Sequence, residues 1–279
     1  MGKIKRLFQL WFLYAKMDLA WLLRDTTFAV LAVFTDAISN VSAVTGIFLL
    51  AWRFDGLGGM GRYEVLFMLA YGTLITGIYQ CFFNFNVSHI SRRIGRGQLE
   101  HMFIQPIPLP LQLATEGFIP FTGGGNLISG AIIMVLAVNG LEIALPWWWI
   151  LSLAGNLLIT LAILLAASFF ASSLAFYAPV QAEEISSYVF GGLGHIGNFP
   201  LSGMPPPLQL SLISIIPAGL MAWFPTLALL GRPPFDLPAW YPLAFALFLW
   251  LIAAYFFRKG LKYYVEKGIN RYVRWGHRS

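Results

Sequence analysis

Seven polar residues interrupt stretches that are otherwise apolar: Asp36, Asn84, Asn86, Glu116, Asn126, His195 and Asn198. In such surroundings a carboxyl group must be protonated, paired or given a partner by a ligand, and an amide must find a hydrogen bond. Chemistry of other kinds has no foothold in the sequence. The glycine cluster Gly123 to Gly125 is followed by Asn126 and lacks the lysine of a phosphate-cradling loop, so the chain is not expected to hydrolyse ATP itself. His89, His101, His195 and His277 are scattered without an H-E-x-x-H spacing, and a single cysteine, Cys81, supports neither a metal site nor an internal disulfide. No G-x-S-x-G nucleophile elbow occurs.

The elements that hold these residues follow from composition. Hydrophobic residues make up 58% of the 279 and charged ones 11%, against about a quarter charged in soluble domains. A bilayer core about 30 Å thick takes roughly 20 apolar residues per helix, and the chain supplies such runs repeatedly. Thr27 to Trp52, Tyr63 to Val87, Leu111 to Val138, Trp147 to Tyr177 and Ala239 to Phe257 read as spans. Ile185 to Met204, weakly hydrophobic and glycine-rich, and Leu208 to Leu230, broken by Pro217 and Pro225, are two weaker candidates. Residues 3–24 read as an interfacial helix, with Ile4, Leu7, Phe8, Trp11 and Ala15 at helical spacing. The expectation is an all-α polytopic membrane protein, one domain over residues 1–279.

At membrane depth the polar residues acquire a sharper meaning. A carboxylate at the bilayer centre costs about 2.5 to 3.5 kcal/mol on insertion scales, so Asp36 is expected to face the protein interior. Asparagines there either bond between helices, at about 0.6 kcal/mol each, or touch a solute. Asp36, Asn84, Asn86, Asn126, His195 and Asn198 are the candidates for a translocation path, whereas Glu116 lies near a polar edge.

Counting both weak segments gives seven crossings; the distribution of positive charge favours six. Of eighteen Lys and Arg, five lie in the N-terminal segment, three in Ser88 to Pro110 and seven in the tail 258–279. With one weak segment dipping in rather than crossing, these fifteen share the cytoplasmic face of the plasma (inner) membrane with both termini. Only Arg53, Arg62 and Arg232 then lie outside. Pro217 and Pro225 suit a re-entrant pair of short helices at Leu208 to Leu230; a kinked full span is the alternative. The net charge of +6 is confined to the ends and one loop, which points to anionic lipid rather than nucleic acid.

That loop, Ser88 to Pro110, has a layout of its own. Gly95 and Gly97 permit a turn, Leu99, Met102 and Phe103 fall on one helical face, and Pro106, Pro108 and Pro110 form a stiff strap. A short helix on such a strap is either an interfacial anchor or a handle that a soluble motor can push.

The order of these parts, with G-R-G-Q-L-E-H-M-F-I-Q-P (Gly95 to Pro106), N-F-P-L-S-G-M-P (Asn198 to Pro205), I-I-P-A-G-L (Ile215 to Leu220) and F-P-T-L-A-L-L-G (Phe224 to Gly231), resembles the export-type ABC-2 permeases. The resemblance implies six spans, with Ile185 to Met204 the fifth and 208–230 re-entrant on the outer face. It implies two cytoplasmic ATPase subunits that carry ATP and Mg, a second permease, identical or homologous, and, by analogy with relatives, export of drugs, viologens or other amphiphiles. It makes Leu99, Glu100, Met102, Phe103 and Ile104 the residues that couple to the ATPase. The alternative is an ion-coupled secondary transporter with Asp36 as its cation or proton site, although no inverted repeat is evident.

Overall fold

Proline sets where several helices begin. Pro179, Pro206 and Pro242 occupy the first turns of α9 (Pro179–Gly197), α10 (Pro206–Ser214) and α12 (Tyr241–Lys267), where the missing N–H would have no helical acceptor anyway. Pro217 opens a 3-10 turn, Pro217–Leu220, and Pro225 lies in the first turn of α11 (Trp223–Leu229). The segment 208–230 is therefore a run of short helices rather than one kinked rod.

The computed structural model describes Lys3–Gly268 apart from residues 84, 85, 88, 122, 123 and 143–145. The side chains of residues 3–7, 28, 32, 33, 36, 37, 40, 43 and 180 also lie outside the description. The remaining helices are α1 (Lys3–Arg24), α2 (Thr26–Arg53), α3 (Arg62–Phe83), α4 (Ile90–Gly95), α5 (Leu99–Phe103), α6 (Leu109–Thr115), α7 (Gly125–Leu141) and α8 (Trp147–Ser172), extended by a 3-10 turn, Ser173–Phe176. The regular structure of the described residues is helical throughout. Arg62–Phe83, Trp147–Phe176 and Tyr241–Lys267 are long and apolar enough to cross a membrane. Their large exposed side chains, such as Leu158 and Leu251, suit contact with lipid chains.

Three boundaries differ from the sequence expectation, the first being the weak segment Ile185 to Met204: its helix, α9, already starts at Pro179, which serves as a first-turn residue rather than a break, and ends at Gly197. The apolar run 111–138 is two helices, α6 and α7, separated by a bend in which the Phe121 N–H donates to Asp18 Oδ2 at 2.8 Å. Asp18 belongs to α1 and is buried, so this bond pins the N-terminal helix to the bend. At the other end α12 continues past Phe257 to Lys267, with the pair Lys262–Glu266 one turn apart at 3.8 Å. The residues of the tail beyond Gly268, Ile269 and Tyr272 among them, lie outside the described residues.

Contacts between side chains give each helix its direction. Tyr71 Oη bonds Thr160 Oγ1 at 2.9 Å and Tyr79 donates to Ser168 at 3.1 Å, both pairs 89 residues apart. A constant offset along two helices means that α3 and α8 run parallel. Phe169 packs on Trp250 and Phe257, and Phe176 seven residues later on Phe257 and Tyr264; α8 and α12 are parallel too. Against α3 the other partners run the opposite way. Gly77 abuts Leu127 while Leu74 abuts Gly130, so α7 is antiparallel to it. Tyr79 stacks on Phe190 while Gly72 abuts Asn198, so α9 is antiparallel as well. The tight turn from α2, closed by Arg62 over the rings of Trp52 and Tyr63 at 4.5 and 5.3 Å, makes α2 antiparallel to α3. Leaving aside α1, the other six long helices among the described residues, α2, α3, α7, α8, α9 and α12, thus alternate in direction.

α3 and α7 make the most extensive contact. A Cβ on Gly77 would collide with the Leu127 backbone, and one on Gly130 would sit 2.8 Å from Leu74 N. Glycine here lets two backbones touch, the usual device of helix pairs in lipid. Two buried clusters result, joined through α8: Ile163 and Leu164 enter the first, with α3 and α11, and Ala166 and Phe169 the second, with α4, α5 and α12.

Candidate functional site

The candidates from the sequence divide between two places. At one end of the bundle, α4 and α5 form a small platform. The turn between them uses Gly97 at φ +67°, a conformation that favours glycine. Ile90, Ile94, Leu99 and Met102 are buried beneath the platform against Leu113, Phe176 and Phe257. The strap 106–110 is held from below by the buried Gln112, whose Nε2 donates to the carbonyls of Met102, at 2.9 Å, and of Ile107.

Charged contacts tie the platform to three other parts of the bundle. Arg92 Nε reaches Glu183 Oε1 on α9 at 2.9 Å. Arg93 donates to Glu116 Oε2, just past α6, at 2.7 Å and to Asn86 Oδ1 at 3.2 Å. The Tyr264 hydroxyl of α12 donates to Glu100 Oε1 at 2.8 Å. Nearby on α1, burial and then the Glu116 carboxylate push the Tyr14 phenol up, against the opposing pull of Arg93. Arg92, Arg93, Arg96, His89 and His101 border an open groove of about 670 Å³ at this end.

The coupling candidates therefore do not share one face. Leu99 and Met102 point into the core, Glu100 is bonded to Tyr264, and Phe103 and Ile104 are 40% and 82% exposed. A charge at Leu99 tests folding, while a charge at Ile104 tests docking.

The second place is a cleft of about 330 Å³ between α2, α3, α7 and α9, next to the 3-10 turn at 217–220. It brings together Asn126, His195 and Asn198, three of the six residues proposed for a translocation path. Asn86 sits instead with Arg93 at the platform. Asn84 lies outside the described residues, and so does the side chain of Asp36, whose backbone belongs to α2. The sequence reading missed the anchors Glu183 and Tyr264 and the cleft residues Thr73, Thr76, Gly191 and Gly194. For Glu183 a signal existed: the expected topology puts it on the same membrane face as Arg92.

Residues 38–268 match the family model described as ABC-2 family transporter protein. Neither the curated proteins nor the solved structures give a match.

Proposed function

The chain belongs to the ABC-2 transporter family and is a multi-pass membrane permease of ABC transporters; from that premise we propose that it is the translocating subunit of an ATP-driven exporter. It works with two cytoplasmic ABC ATPase subunits, which carry the ATP and Mg, and with a second permease, identical or homologous. Six crossings put both termini in the cytoplasm. The alternating directions of α2, α3, α7, α8, α9 and α12 support that count, since even parity returns the chain to its starting side. The short helices at 206–229 are the re-entrant segment on the outer face. There Arg232 pairs with Glu64 at the start of α3, and the Trp223 indole donates to Ser202 at 2.8 Å.

The observation that carries the proposal is the platform. Its apolar side chains Phe103 and Ile104 are exposed at the end of α5, just before the strap 106–110, and its underside is bonded to α9, to the α6 end and to α12. A motor that seats these two side chains and closes on ATP displaces the platform as a unit. The Arg92–Glu183 and Tyr264–Glu100 contacts deliver that displacement to two long helices, one of which borders the cleft. Alternating access then follows as α9 and α12 shift against α3 and α7.

Ile104→Asp is expected to abolish ATP-dependent export at least tenfold and to release the ATPase subunits on purification, with the melting temperature unchanged. Leu99→Asp is expected to prevent folding. Full export by Ile104→Asp would remove the platform from the coupling role. Proton-driven transport by a chain that purifies without any ATPase would replace the exporter reading with an ion-coupled one.

A further inference from the structure

The groove beside the platform is lined chiefly by hydrogen-bond donors. Arg92, Arg93, Arg96, Gln98, His101 and Gln105 border it, and the carboxylates within reach are already engaged, Glu183 by Arg92 and Glu116 by Arg93. Asn86 gives its carbonyl oxygen to Arg93 at 3.2 Å and keeps its amino group. The side chains of Arg96, Gln98, His101 and Gln105 have no hydrogen-bond or ion-pair partner among the described residues. Three guanidinium groups at the end of α4 therefore face two carboxylates, and the charge of Arg96 is left over. Like charges this close repel one another, so an anion is the partner that the chain does not supply.

Position narrows the choice of anion. Glu116, on the wall of the groove, also lines a hollow shared with Tyr14, Met17 and Trp21 of α1. Phe8, Phe12, Met17 and Trp21 of that helix are exposed, and tryptophan and apolar side chains on an interfacial helix settle at the level of the lipid headgroups. The groove thus opens at the depth of the membrane phosphates. Phe103 and Ile104, the side chains offered to the motor, do not border it, and it shares no residue with the cleft between α2, α3, α7 and α9. A phosphate presents several acceptor oxygens and matches the planar fork of a guanidinium, and about 670 Å³ leaves room for a whole headgroup.

We propose that this groove binds a phosphate group, borne by an anionic phospholipid of the cytoplasmic leaflet, with Arg96 and His101 as its free donors and Arg92 and Arg93 beside them. Since Arg92 and Arg93 also tether the platform to α9 and to the α6 end, the phosphate lies against both tethers. The inference rests on the permease reading for the side of the membrane and adds a site that reading does not contain.

The test is mass spectrometry of the intact permease, purified with its ATPase partner and equilibrated with mixed micelles of dioleoylphosphatidylglycerol and dioleoylphosphatidylcholine. Wild type is expected to retain the glycerol lipid about tenfold more strongly than the choline lipid. Arg96→Gln should lose most of that preference while melting in phosphatidylcholine as wild type does, and Lys259→Gln, which removes the same charge from α12, should keep it. Glycerol 1-phosphate and inorganic phosphate at millimolar concentration separate the sources: lipid that stays bound assigns the site to the membrane, and lipid that is displaced assigns it to a soluble phosphate. Equal retention of the two lipids, or equal loss in Arg96→Gln and Lys259→Gln, overturns the proposal. So does a preference shown by the permease alone that vanishes when the ATPase subunits bind, since acidic side chains of the motor would then own the groove. If no ATPase co-purifies, the exporter reading fails, and the lipid measurement on the permease still decides this one.

Discussion

Thr160 shows how a single hydroxyl serves two helices and a loop. It meets the Tyr71 hydroxyl at 2.9 Å and donates to the Leu220 carbonyl at 3.3 Å, and both side chains are buried. Removing one member of such a pair strands the other, whereas removing both leaves an apolar contact. Thr160→Val is therefore expected to lower stability by about 1 to 3 kcal/mol, and Tyr71→Phe in the same chain to recover a good part of it. Denaturation of the four proteins of this double-mutant cycle in detergent measures the coupling; additive losses would mean that the two hydroxyls act independently. Residue identity announced that Asn126, His195 and Asn198 were unusual, because polar groups stand out in an apolar run. It could not announce that they meet. That depends on the register of α7 and α9 against α3, which glycine contacts such as Gly77 on Leu127 and Gly72 on Asn198 fix.

At the level of elements, glycine plays two opposite parts. Gly77 and Gly130 are small because another backbone occupies the space, and Gly192 is small with nothing beside it. Gly77→Val is expected to cost about 1 to 3 kcal/mol through overpacking and to reduce the monodisperse peak in fluorescence-detected size exclusion. Gly192→Ala should leave that peak intact or enlarge it, since alanine is the better helix former. An unchanged profile for Gly77→Val would show that α3 and α7 can separate. Helices such as α3 and α8 were legible in the sequence because a long apolar run has few alternatives to a helix. The break between α6 and α7 did leave signals in Glu116, Gly117, Pro120 and the cluster Gly123 to Gly125, but Phe118, Ile119 and Phe121 between them let the apolar run read as continuous. The continuation of α12 beyond its apolar part was hidden by the opposite cause, since a helix leaving the bilayer turns polar without ending.

For the whole molecule, the alternation of six long helices makes a topological statement that labelling can check. Cys81 is buried and leaves a quiet background. Arg96→Cys is expected to resist a membrane-impermeant maleimide in intact cells and to react after permeabilisation. Asp55→Cys and Asp236→Cys should react at once. Reaction of all three from the same side would contradict six crossings. The positive charges carried most of this information in the sequence; what they could not carry was which helices lie side by side, because lipid-facing and protein-facing runs are equally apolar.

The difference between the two kinds of glycine also bears on how such a permease can diverge. A lineage that changes Gly77 or Gly130 breaks the block formed by α3 and α7 before it gains anything. Gly191 and Gly194 are under no such embargo, because a side chain there meets no atom of the chain. Successive substitutions on that side of α9 would reshape the cleft one methyl group at a time, leaving the platform and the fold untouched. Descendants of one ancestral gene could in this way come to serve different solutes while keeping the same engine.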